Sequence, residues 1–117
     1  MNSTDTERLQ DLARRLERLD AAQAARNTLG RYMQLCDVPC GDCGALGLTD
    51  LFSQDAVWEG VGPLYAGKFG RHQGPAAIAA FVGSYLAPSP HFTRNLHFLT
   101  SEQLEVDADC RRAHGRW

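Results

Sequence analysis

Apolar positions in the first third of the chain fall on one helical face. Leu9, Leu12, Leu16 and Leu19 recur at helical spacing with Arg and Glu between them, the periodicity of an amphipathic helix. Thr4 followed by Glu7 has the form of a capping box, and Asp5 suits the positive end of a helix dipole. Ala25, Leu29, Tyr32, Met33 and Cys36 continue an apolar stripe. Asp20 with Gln23 offers a second start, so one long helix and two consecutive helices both fit. Gly30 weakens the helix without ending it; Pro39 and Gly41 end it.

Residues 37–47 read as a loop rich in Gly, Cys and Asp, and 48–52 as a short helix. Bulky residues at 55–60 predict a strand, and 64–69 a partner that closes a small hairpin. Pro75 suits a first helical turn, so 76–86 reads as an apolar helix, closed by Pro88 and Pro90. From His91 the period changes to two. His91, Thr93, Asn95 and His97 alternate with Phe92, Arg94, Leu96 and Phe98, which predicts a strand with a polar and a largely apolar face. Asp107-Ala108-Asp109 reads as a turn and 110–117 as the returning strand. Helices are segregated from strands, so the class is α+β.

Composition narrows the function classes. A length of 117 residues fits one domain, and 44% hydrophobic with 22% charged residues excludes a disordered chain. A net charge of -2 gives no basic footprint for nucleic acid. The longest apolar run, 76–82, is too short for a bilayer, and the polar N-terminus shows no export signal. The expected location is therefore cytoplasmic, with reduced thiols. Cys36, Cys40 and Cys43 are closely spaced, and Cys110 stands apart. A Cys-x2-Cys knuckle can bind zinc, but a closed site needs four ligands and no second knuckle is present. A Gly-rich loop that carries thiols, with no metal, is preferred over the alternative of zinc or a regulatory disulfide. No glycine-rich dinucleotide fingerprint follows a strand, so no cofactor is expected.

Four stretches carry a family resemblance. They are Arg31-Tyr32-Met33-Gln34-Leu35-Cys36-Asp37, Leu51-Phe52-Ser53-Gln54-Asp55-Ala56-Val57-Trp58, Gly74-Pro75-Ala76-Ala77-Ile78-Ala79-Ala80-Phe81 and His91-Phe92-Thr93-Arg94-Asn95. In this order the chain resembles the SnoaL-like group of the nuclear transport factor 2-like superfamily. The resemblance implies a cone-shaped, curved antiparallel sheet wrapped on N-terminal helices, with a cavity for a small apolar or cyclic ligand. It places an N-terminal helical extension at 1–19 and the domain at 20–117. It also implies further strands beyond Trp117, so the expectation is a domain lacking its last strands. An open sheet face on this fold commonly serves in homo-oligomers.

Candidate chemistry centres on Asp37 and His91. A histidine titrates near neutrality, and a carboxylate on its other nitrogen fixes the tautomer. The resemblance to scytalone dehydratase-like and dehydrochlorinase-like members pairs these two positions as a proton-abstracting dyad. His114 matches, loosely, a second histidine of the dehydratase-like members. Its competing reading is an exposed strand residue between Arg112 and Arg116. His97 and Asn95 share a strand face with His91, while Tyr32 and Trp58 suit the wall of an apolar pocket. His72 is given no role. Two departures bear on substrate. Gly60 stands where ketosteroid isomerase-like members carry their aspartate base, and Cys36 replaces a tyrosine of the scytalone dehydratases. The resulting expectation is a cofactor-independent lyase or isomerase of dehydratase type. The alternative is a non-catalytic ligand-binding or assembly domain, such as an aromatic-ring dioxygenase small subunit.

Overall fold

The leading apolar stripe folds as a single helix, α1 (Ser3–Cys36). It starts two residues earlier than the Thr4 capping box implies. Asn2 is the capping residue, its Oδ1 accepting the Asp5 N–H at 2.9 Å. The Asp20–Gln23 start is not used, because helical residues flank it on both sides. The computed structural model describes residues 2–40, 47–86 and 91–117. Cys43, Gly41 and the proline pair at 88 and 90 lie outside them.

Beyond α1 come a 3-10 turn at Leu48–Leu51, then β1 (Val57–Glu59), α2 (Gly62–Phe69), β2 (Arg71–Gln73) and α3 (Pro75–Gly83). The hairpin β3 (Gln103–Val106) and β4 (Ala113–Arg116) completes the described chain. The class is α+β. Two compact units are present: residues up to Gly30 with Leu99–Trp117, and Arg31–Phe98.

In the Arg31–Phe98 unit, β1 pairs antiparallel with β2, Trp58 facing His72. The expected strand at 64–69 is instead helix α2. Pro63 in its first turn and Gly70 just past its end are the ordinary punctuation of a helix. Gly70 has φ +67, a left-handed conformation that glycine adopts without strain. Tyr65 and Phe69, one turn apart, stack at 5.3 Å. The core centres on Cys36, Ile78 and Val82, with Tyr32, Phe52, Trp58 and Phe81 packed on it. Ile78 is fully buried.

The alternating segment from His91 differs from its expected strand. Among the described residues it holds one isolated bridge, in which Val38 and Asn95 exchange both backbone hydrogen bonds at 2.7 and 2.9 Å. Period-two alternation makes a strand only where a neighbour supplies a ladder, and Val38 supplies a single rung.

In the other unit, Leu104 faces Gly115 and Val106 faces Ala113 across the β3–β4 hairpin. The Arg26 guanidinium meets the Glu102 carboxylate at 2.9–3.0 Å, and the Trp117 indole N–H donates to the same carboxylate at 3.1 Å. These contacts lower the Glu102 pKa, the Arg26 hydrogen bond first among the causes. Leu9, Leu12, Leu16 and Leu19 are exposed. Among the described residues no helix is long and apolar enough to cross a membrane.

Candidate functional site

The last turns of α1 place Tyr32 and Cys36 on one face, four residues apart. β1 brings Trp58 against them, and the Trp58 indole N–H donates to the Tyr32 hydroxyl at 2.9 Å. Phe81 of α3 packs on Trp58 at 5.0 Å, and Phe69 at the end of α2 meets Trp58 edge-on at 6.1 Å. Between these groups lies a cavity of about 340 Å³. Its lining lies wholly within the Arg31–Phe98 unit. Its volume falls in the range that holds a small organic molecule.

The polar groups on this cavity are few. Tyr32, Lys68, His91, Asn95 and His97 all line it. Behind His97 stands Asp37. One oxygen of Asp37, Oδ1, accepts the His97 backbone N–H and faces the His97 ring Nδ1, both at 2.9 Å. A carboxylate can only accept, so in the neutral ring Nδ1 carries the proton and Nε2 keeps its lone pair. Among the described residues Nε2 has no hydrogen-bond partner. Both side chains are partly shielded, at 31% and 22% exposure.

The structure therefore pairs Asp37 with His97, not with His91. His91 lines the same cavity. Its backbone N–H donates to the Tyr85 carbonyl at 2.8 Å, and its ring meets Tyr85 and Phe92 edge-on. The reason lies in the Val38–Asn95 bridge. Asp37 adjoins one member of that bridge and His97 lies two residues past the other, so the bridge aligns these two. His91 sits four residues before Asn95, beyond the bridge.

Tyr32 is held in its neutral form. Burial is the main cause, and the neighbouring Cys36 adds to it, against the opposing Trp58 hydrogen bond; the phenol pKa is pushed up to about 12. Burial likewise pushes the Cys36 thiol up, with Asp37 adding to the effect. Both groups face the cavity as neutral hydrogen-bonding groups at neutral pH.

The family model for the SnoaL-like domain matches residues 17–117. The chain belongs to the SnoaL-like family. No curated protein and no solved structure matches it. In this SnoaL-like chain, His114 belongs to the other unit, on β4. It is exposed and lies 3.4 Å from Asp107. His72, given no role, has a structural one. It stacks on Phe81 at 3.9 Å and its Nε2 meets the Phe69 carbonyl at 2.7 Å.

Gly60 explains why no carboxylate stands at that position. A Cβ there would run into the Tyr65 carbonyl of α2. Cys36 and Cys110 are free thiols, while Cys40 is disulfide-bonded, which departs from the expectation of reduced thiols throughout. Among the described residues no group of His, Cys, Asp and Glu could hold a metal ion. Sequence reasoning missed Lys68, Phe69, Phe81, Tyr85 and Phe92 as lining residues. The available signals were Pro63 and Gly70, which turn 64–69 into a helix, and Lys68 as the single lysine.

Proposed function

We propose that this SnoaL-like cavity binds a small cyclic molecule and removes a proton from a carbon beside an activating group. The reaction class is a cofactor-independent elimination or isomerisation. The observation that carries this reading is the Asp37–His97 pair. The Asp37 carboxylate holds the Nδ1 proton, which leaves Nε2 of a cavity-lining histidine as the base. As the imidazolium forms, the Asp37 charge stabilises it. Tyr32, neutral and hydrogen-bonded at the cavity wall, donates to the oxygen on which negative charge gathers. His91, on the same cavity, is the acid that protonates a departing hydroxyl. This reading transfers the base from His91 to His97 and leaves His114 out.

The test uses proton exchange, which precedes both elimination and isomerisation. 2-Tetralone is incubated with the protein in D2O and deuterium entry beside its carbonyl is followed by NMR. Wild type is expected to exceed the buffer rate, with His97→Gln and Asp37→Asn each lowering the excess by about 100-fold. Equal rates in wild type and His97→Gln would rule His97 out as the base. Saturable binding of 2-tetralone without any exchange would favour the non-catalytic, ligand-binding alternative.

A further inference from the structure

We propose that the ligand of this cavity is a flat ring system carrying an acidic group, and that Lys68 takes its negative charge. The inference rests on the reading that the cavity is the ligand site, and it narrows the ligand from cyclic molecules in general to cyclic acids.

The balance of charge on the wall is the first argument. Among the described residues that line the cavity, Lys68 is the one with a permanent charge, and none is an aspartate or glutamate. The nearby carboxylate, Asp37, is engaged by His97 through two hydrogen bonds. The other titratable lining groups are histidines, tyrosines and Cys36. Tyr32 and Cys36 are held neutral, mainly by burial. A ligand cation would find no opposite charge on this wall. A ligand anion would find the Lys68 ammonium.

The placement of Lys68 is the second. Lys68 lies in the last turn of α2 beside Phe69, with its Nζ 5.4 Å from the Phe69 ring centre. The helix C-terminus and the ring face both favour a charged ammonium at that point. None of the ion pairs among the described residues uses Lys68. The charge thus sits on an aromatic wall where no carboxylate among the described residues pairs with it.

The shape of the wall is the third. Trp58, Phe69, Phe81 and Tyr85 meet one another at steep angles, with centres 5.0–6.3 Å apart. Rings set this way present faces and edges to a flat guest. A volume of about 340 Å³ suits one or two fused rings. An acid on such a ring, directed at α2, pairs with Lys68 in a charge-assisted hydrogen bond.

The test compares two isosteric probes, 2-naphthoate and 2-naphthamide, by calorimetric titration of wild type, Lys68→Met and Lys68→Arg. Wild type is expected to bind the acid at least about tenfold more tightly than the amide. Lys68→Met is expected to remove that preference while leaving amide affinity within about twofold, and Lys68→Arg to retain it. The preference shrinks with added salt, because Lys68 is exposed. An amide that binds as well as the acid in wild type overturns the proposal. So does a preference that survives Lys68→Met, or the absence of binding by both probes at millimolar concentration. The two tests use different probes and read different quantities. Failure of the proton-exchange reading, with a Lys68-dependent preference intact, therefore leaves charge recognition standing, and the converse result separates them the other way.

Discussion

Asp37 accepts two hydrogen bonds from one residue, His97, through a single oxygen: the backbone N–H and the ring Nδ1–H, each at 2.9 Å. The first bond fixes where the segment runs. The second fixes which ring nitrogen is free.

The tautomer follows from this geometry. Nitrogen NMR of the neutral protein should show His97 protonated at Nδ1, with Nε2 bare. In Asp37→Asn the amide nitrogen can donate to the ring, which removes the bias toward Nδ1–H. The variant should show a mixed or inverted tautomer. An unchanged Nδ1–H signal in Asp37→Asn would mean that the carboxylate does not set it.

Tyr32 predicts alkaline sensitivity. Its phenol ionises at about 12 in the fold against 10.0 for the ordinary group. Between those values the unfolded chain releases a proton that the folded chain keeps, so stability falls as pH rises from about 10 through 12. Cys36, also raised above its ordinary 9.0, acts in the same direction from lower pH. Chemical unfolding at pH 8, 10 and 11 should show a falling midpoint. The Tyr32→Phe variant should lose the part of the slope above pH 10, and also about 1 kcal/mol near neutrality for the unpaired Trp58 N–H.

The two free thiols should differ in reactivity. Cys36 is 7% exposed, and burial raises its thiol pKa; Cys110 is partly exposed on the turn before β4. Reaction with an aromatic disulfide reagent at pH 8 should label Cys110 at least about tenfold faster than Cys36. Comparison of Cys36→Ser with Cys110→Ser assigns the phases. Faster labelling of Cys36 would contradict the packing around Ile78 and Val82.

Gly60 should tolerate no side chain. A Cβ at this position meets the Tyr65 carbonyl, which is backbone and cannot swing aside. Gly60→Ala is expected to cost about 1–3 kcal/mol in chemical denaturation. The neighbouring Gly67→Ala, with open space around its Cβ in a helix interior, should be neutral or stabilising by up to about 1 kcal/mol. Equal effects at both positions would remove the close approach of α2 to β1 as the reason for Gly60.

The α+β class, the leading helical stripe, α3 and the C-terminal hairpin were legible in the sequence, although whether the stripe forms one helix or two was not. Each depends on neighbours in the chain: a helical stripe ending at Cys36, Pro75 in a first turn, an Asp-rich turn at 107–109. The cavity wall was also legible in part, since Tyr32, Trp58, Asn95 and His97 all line it. The helix α2 was readable from Pro63 and Gly70 but masked by its bulky residues, which suit a strand as well. Which histidine meets Asp37 is set by contacts between distant segments. Sequence distance carries no information about contacts between segments so far apart, and two histidines of like parity on one segment look equivalent. One backbone bridge, Val38 to Asn95, breaks that equivalence: it brings His97 to the carboxylate and leaves His91 to the Tyr85 turn. The charge of the cavity was decided in the same way. Lys68 reaches the wall because α2 is a helix, and a helix turns its side chains at 100° per residue where a strand alternates them.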